Sequence, residues 1–83
     1  MYLFFDTKKR AFLRADSNFS TPVLTYTMEN DNIYICPNLF EATDLILSLQ
    51  DYSQLEGLID DLQIVSIEER DLYNLSELDL SFL

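Results

Sequence analysis

Eighty-three residues suffice for one domain and no more, and a chain of this size buries roughly 60–65% of its unfolded surface, so each large side chain counts. A hydrophobic content of 48%, with six Phe and five Tyr, is too high for intrinsic disorder, and one Gly with two Pro leaves little for linkers. The net charge of −10 argues against direct nucleic-acid binding and against anionic membranes, and favours a basic protein surface as partner.

In chain order, Tyr2–Phe5 and Arg10–Ala15 read as short strands flanking the hairpin loop Asp6-Thr7-Lys8-Lys9. Asp16–Ser20 is turn-rich. Pro22 opens a third strand, Val23–Met28, and Glu29-Asn30-Asp31-Asn32 is a strong turn signal before a fourth, Ile33–Cys36. Periodicity then changes at Pro37. Between Asn38 and Gln50 the apolar residues cover most of a helix circumference, leaving the polar stripe Glu41, Asp44, Ser48 and Asp51. Ser53 and Glu56 form a capping-box pattern before Leu55, Leu58, Ile59 and Leu62, which predicts a second amphipathic helix with Glu56, Asp60 and Asp61 outside. Gln63–Ile67 reads as a fifth strand. Ser66 with Glu69 offers another capping box, so Glu68–Asn74 reads as a short helix. The strict alternation of Glu77–Phe82 predicts an edge strand with Leu78, Leu80 and Phe82 facing a core.

The pattern predicts an α+β fold: an antiparallel sheet of about four to six strands packed against two helices, one layer of each. Residues 1–83 form one domain in this reading, with hairpins over 1–36, helices over 38–62 and a mixed tail over 63–83. No apolar run is long enough to span a bilayer, the apolar start Met1–Phe5 lacks the pattern of a signal peptide, and the lone Cys36 has no internal partner. A cytoplasmic protein, microbial or host, is the economical expectation.

Chemistry is constrained by what is lacking. With no His, one Cys and one Gly, the chain has neither the commonest general base, nor a thiolate-rich zinc site, nor a glycine-rich phosphate loop. Cys36 precedes a predicted helix N-terminus that would favour its thiolate, but a small residue ending a buried strand is the expected reading. The carboxylate pairs Asp60–Asp61 and Glu68–Glu69 fall on solvent faces and read as solvated charge. Glu29–Asn32 begins like a calcium loop, yet Tyr34 stands where the loop glycine belongs and Phe40 where the bidentate Glu belongs. No cofactor, no metal and no enzymatic activity is expected.

Charge is segregated along the chain. Lys8, Lys9, Arg10 and Arg14 make the first fourteen residues mildly basic, whereas residues 15–83 hold fourteen carboxylates against Arg70 alone. Helical carboxylates about one turn, roughly 5.4 Å, apart approach the roughly 3.4 Å spacing of phosphates along a DNA strand. The expected partner surface comprises Glu41, Asp44 and Asp51 on the first helix and Glu56, Asp60 and Asp61 on the second, extended by Glu68, Glu69 and Asp71. Tyr52 and Tyr73 are candidate interfacial anchors.

The tail Glu77-Leu78-Asp79-Leu80-Ser81-Phe82 resembles the Leu-x-Leu-x-Phe peptides with which bacterial proteins dock on the DNA-polymerase sliding clamp, although those usually begin with Gln. The resemblance implies clamp docking through a free tail. In small size, acidity and missing catalytic groups the chain is similar in type to phage-encoded inhibitors such as anti-CRISPR proteins, glycosylase inhibitors and other DNA mimics. The leading expectation is an acidic inhibitor or nucleic-acid mimic that occupies a basic cleft of a nucleic-acid-binding protein. The alternative is an interaction or assembly module, homo-oligomeric or part of a larger complex, using apolar or sheet-edge contacts. The two differ in their response to salt.

Overall fold

The computed structural model describes residues 1–55 and 57–83. Strands Tyr2–Asp6 (β1) and Ala11–Leu13 (β2) are joined by a turn that Asp6 organises. Its Oδ1 accepts the backbone N–H of Lys8 at 2.9 Å and of Lys9 at 2.7 Å, while Arg10 N–H donates to the Asp6 carbonyl at 2.8 Å. Asp6 is only 3% exposed, so these bonds are what satisfies its carboxylate. The turn closes with Arg10 at φ 57°, a left-handed conformation costing about 1–2 kcal/mol for a residue with a Cβ. Tertiary contacts offset that strain. The Arg10 guanidinium lies 4.9 Å from the Phe5 ring centroid and donates to the Leu80 and Leu83 carbonyls, each at 2.9 Å.

β1 and β2 pair only at Phe5↔Phe12 and Asp6↔Ala11, then diverge. Residues 33–36 enter the fork. Ile33 bridges to Arg14 and Cys36 to Tyr2, with Tyr2 and Cys36 exchanging both backbone bonds at 2.9 Å and Tyr34 N–H reaching the Leu13 carbonyl at 3.0 Å. The ring of Tyr34 meets Phe4 and Phe19 edge-on at 5.7 and 6.4 Å. The strand expected over Ile33–Cys36 is therefore a pair of isolated bridges. Because this segment is spent on β1 and β2, it has no ladder to offer residues 23–28, and the expected third strand shrinks to Tyr26–Thr27 (β3), paired with β2.

Leu62–Ser66 (β4) pairs antiparallel with β1 along its whole length, from Tyr2↔Ser66 to Asp6↔Leu62. The sheet has the order β3-β2-β1-β4. Side chains alternate across it into two cores. Leu3, Phe5 and Phe12 point to one face, with Ile33, Ile67, Leu72, Leu75 and Leu80; Phe4 and Leu13 point to the other, with Ala42, Leu49, Leu55, Ile59 and Leu62.

The second core is covered by Leu39–Gln50 (α1). Its N-terminus is capped by Asn38, whose Oδ1 accepts Glu41 N–H at 2.8 Å. Ala42 is fully buried, which brings the helix close to the sheet. The second helix expected after Ser53 is not present among the described residues. Ser53–Leu55 makes a 3-10 turn, and residues 57–61 run through turns and a bend to β4. Gly57 supplies the reason, since its φ of +84° cannot belong to a right-handed helix. Leu55, Ile59 and Leu62 are nevertheless buried as their spacing predicts, on a different backbone. The expected Ser53–Glu56 capping box includes Glu56, which lies outside the described residues.

The first core is covered by the tail. Glu69–Tyr73 is a 3-10 helix opened by a reciprocal cap between Glu68 and Asp71, and Leu75–Glu77 is another. The expected capping box was Ser66–Glu69; the structure shifts it to Glu68–Asp71. The edge strand expected over Glu77–Phe82 is likewise absent. Leu72, Leu75 and Leu78 recur every third residue, the 3-10 period, and turn toward the core together. Asp79 then accepts both the Oγ–H of Ser81 at 2.7 Å and its N–H at 3.2 Å, bonds that bend the chain and hold the Asp79 carboxyl below its usual range. Leu80 is buried, but Phe82 is 76% exposed. A clamp-binding peptide presenting Leu78, Leu80 and Phe82 together would have to leave this core. The single layer of helices expected from the sequence is thus replaced by one α-helix on one face of the sheet and 3-10 turns on the other.

Gly57 gives a test with a sign. A Cβ there would meet no atom within 4 Å, so Gly57→Ala is expected to lower the unfolding free energy measured by urea titration by the backbone cost alone, about 1–2 kcal/mol. In a helix interior the same change would stabilise by about 1 kcal/mol.

Candidate functional site

α1 positions the most distinctive surface. Ala42 and Leu49 face the core, and the opposite side carries Phe40, Asp44, Leu47 and Asp51, spaced by four, three and four residues and all exposed. Phe40 is 80% exposed and Leu47 57%. The outer stripe therefore alternates a large apolar side chain with a carboxylate. Asp51 sits at the C-terminal cap, where the helix dipole is negative, and no basic residue occupies the last turn. Negative charge there is unfavourable, and a cation supplied from outside would relieve it.

Glu41, Asp44 and Ser48, on the flank of α1, line a groove of about 610 Å³ whose other wall is residues 33–37 with Ala15. Cys36 forms part of it but is buried. Burial raises the Cys36 thiol pKa and the neighbouring Glu41 adds to the effect, the opposite of activation by the helix N-terminus. Asp51, Tyr52 and Asp60 meet around a second depression of about 370 Å³ with Ile59. Asp61 faces elsewhere, into a pocket shared with Asp6, Lys8, Lys9 and Tyr26.

The remaining expected site residues lie across the sheet. Glu68 pairs with Arg70 at 2.8 Å and its N–H is capped by Asp71 at 2.9 Å, while Glu69 is exposed beside them. Tyr73, 74% exposed, borders a groove with Glu29 and Asp31. The structure thus brings together Glu41 with Asp44, and Asp51 with Tyr52 and Asp60. It places Glu68, Glu69, Asp71 and Tyr73 on the tail side. Glu56 lies outside the described residues.

The basic hairpin does not neutralise α1. Among the described residues Arg14 pairs with Asp16 at 3.4 Å and Asp31 at 3.9 Å, Lys9 lies 5.8 Å from the Tyr26 ring centroid, and none of Glu41, Asp44, Asp51, Asp60 or Asp61 forms an ion pair. Phe40 and Leu47 were legible only as helix residues. The clue to their exposure is that the apolar arc of 39–49 is wider than one sheet face can bury.

Among the described residues no three of the Cys, Asp and Glu side chains gather to hold a metal ion, and no helix is long and apolar enough to cross a membrane. Compared with known proteins, the chain matches no family model, no curated protein and no solved structure. What the fold defines is an α+β protein with a four-stranded antiparallel sheet.

Two measurements follow from the titrating groups. Cys36 should react with iodoacetamide at pH 8 at least about tenfold more slowly than a free thiol, with its pH–rate inflection above the ordinary value of 9.0. Glu41→Gln should bring that inflection down, and a rate equal to that of free thiol would contradict this environment. The second concerns alkali. Burial raises the Tyr26 hydroxyl above its ordinary 10.0, reinforced by the charge and hydrogen bonding of Asp6 and then by Asp61, and burial also raises Tyr34. The folded protein keeps these protons after the unfolded chain has lost them, so stability is fully present below about pH 9 and falls as pH rises through 10 and beyond. Urea midpoints between pH 7 and 11 should show this loss, and Tyr26→Phe should blunt it.

Proposed function

We propose that the protein is a binding protein whose α1 face occupies a basic surface of another protein, as an inhibitor or nucleic-acid mimic of the phage-encoded type would. The observation carrying this reading is the outer stripe Phe40-Asp44-Leu47-Asp51, in which carboxylates without an internal cation alternate with exposed apolar groups. The carboxylates would steer and orient a basic partner, and Phe40 and Leu47 would supply the desolvated centre that holds it. Mimicry of a phosphate backbone would be confined to α1 and the turn carrying Asp60, because no second acidic helix is present among the described residues. No catalytic role is assigned, and a basic cleft of a nucleic-acid enzyme in a microbial cytoplasm suits the charge. The exposed pair Phe40 and Leu47 also supports the second reading, an assembly module held by apolar contact.

The test replaces Phe40 by a photo-cross-linking phenylalanine analogue and identifies the captured protein by mass. Its affinity is then compared for the wild type, Asp44→Asn/Asp51→Asn and Phe40→Ser/Leu47→Ser, all at exposed positions where folding should change by less than about 0.5 kcal/mol. Each double variant should weaken binding about tenfold, the wild-type complex should loosen about tenfold or more between 50 and 300 mM salt, and duplex DNA should compete. A partner that ignores salt and the Asp variants but requires Phe40 and Leu47 would establish the assembly module. One that binds all three proteins equally would sink both readings.

A further inference from the structure

The free edge of the sheet has a chemistry that the helix surface does not use. β4 pairs with β1 on one side and is the last strand of the sheet. Its register determines which backbone groups are spent. Residues 61, 63, 65 and 67 face β1: Thr7 N–H donates to the Asp61 carbonyl at 2.9 Å, Ile67 N–H to the Met1 carbonyl at 2.9 Å, and the Met1 nitrogen to the Ile67 carbonyl at 3.0 Å. Parity then turns residues 62, 64 and 66 outward. Leu62 N–H is taken by the Ile59 carbonyl at 3.1 Å. The N–H groups of Ile64 and Ser66 and the carbonyls of Leu62, Ile64 and Ser66 have no hydrogen-bond partner among the described residues.

Edges of this kind are normally blunted by a charge within the strand, a proline or a bulge. β4 has none, reading Leu62-Gln63-Ile64-Val65-Ser66. The charges lie just beyond it. Asp60 and Asp61 precede the strand and Glu68 and Glu69 follow it, with Glu68 partly offset by Arg70. From Asp61 to Glu68 is seven residues, roughly 23 Å of extended chain.

We propose that β4 is a strand-addition site for an extended segment of a partner protein, β-branched at its centre and carrying Lys or Arg at both ends. The occupant is fixed by charge. A second copy pairing antiparallel through Ile64 would set Asp60 of each chain against Glu68 of the other, at both ends, between molecules of net charge −10. A basic-ended segment meets opposite charge at the same two places. Main-chain bonds to Ile64 and Ser66 would give affinity, and the acidic brackets would select the partner. This rests on the reading above that the partner is basic, and names how part of it is held.

The probe is a nine-residue peptide with two lysines at each end of a Val-Thr-Val-Thr-Val centre, added to the intact protein. Amide hydrogen exchange is followed by NMR. Ile64 and Ser66 should slow on the order of tenfold or more while Gln63 and Val65, already bonded to β1, stay unchanged. The same peptide ending in glutamates should bind at least about tenfold more weakly, and N-methylation of its alternate amides should abolish binding. Protection of Ile64 and Ser66 that grows with protein concentration alone would assign the edge to a second copy and overturn the proposal. Perturbation confined to α1 would also overturn it, while leaving the basic-partner reading standing. Failure of all three peptides to bind would remove the edge site, and the cross-linking comparison at α1 would decide the wider reading separately.

Discussion

Burial of β1 on both faces is the constraint from which the rest of the architecture follows. Leu3 and Phe5 point to one side of a five-residue strand and Phe4 to the other, all essentially inaccessible to water. Each of these faces must be covered, and fully burying one such side chain stabilises by about 1.5–3 kcal/mol. Two lids are therefore needed from 83 residues. α1 and the following turn provide one with Ala42, Leu49, Leu55 and Ile59; the tail provides the other with Leu72, Leu75 and Leu80. Arg10 fastens the second lid by bonding the Leu80 and Leu83 carbonyls across the Phe5 ring, which explains why a left-handed turn position carries arginine and not glycine.

That division of labour explains what sequence pattern conveyed and what it did not. β1, β2, β4 and α1 were legible because each has a dense apolar signal over a window matching its own period, and β1 and β4 pair in full register. The second helix was misread because Leu55, Ile59 and Leu62 fit a helical spacing that burial alone also demands, and Gly57 carried more weight than its single letter suggested. The tail was misread because Leu78, Leu80 and Phe82 satisfy a period of two while Leu72, Leu75 and Leu78 satisfy a period of three. Only the need to cover Leu3 and Phe5 decides between them, and that need is invisible until β1 is known to be central. Residues 33–36 have strand composition but are drawn into the fork between β1 and β2, a consequence of strand divergence that no local pattern announces.

The acidity is equally divided in purpose. Asp6 organises the first turn, Asp71 caps a 3-10 helix, Asp79 bends the tail, and Asp16 and Asp31 flank Arg14. These carboxylates are part of the fold, and their charge is engaged locally. The candidate surface around α1 draws on those without such partners, Glu41, Asp44, Asp51 and Asp60; of the two acidic ends of β4, one holds Glu68, which is partly offset by Arg70. Read from the sequence, the eleven expected site residues comprised two acidic helix faces, their extension over Glu68, Glu69 and Asp71, and two tyrosine anchors. In the structure the described ones divide among the α1 side, the pocket of Asp61 beside Lys8 and Lys9, and the tail side of the sheet, and those around α1 are joined by Phe40 and Leu47, which pattern alone placed only within a helix.

The two unpartnered features have one origin. Because α1 turns only one side, with Ala42 and Leu49, to the face carrying Phe4 and Leu13, its apolar arc exceeds what the sheet covers, and Phe40 and Leu47 emerge. Because the tail is spent on covering Leu3 and Phe5, it does not pair with β4, whose outer backbone groups have no partner among the described residues. An uncharged open edge and an exposed aromatic would ordinarily invite self-association. Here every such feature is flanked by carboxylates, which repel a second copy of the same acidic chain and attract a basic one. In the proposed reading the charge is therefore a filter placed around surfaces that the fold could not close. It admits a basic partner at the positions where it refuses the protein's own copies.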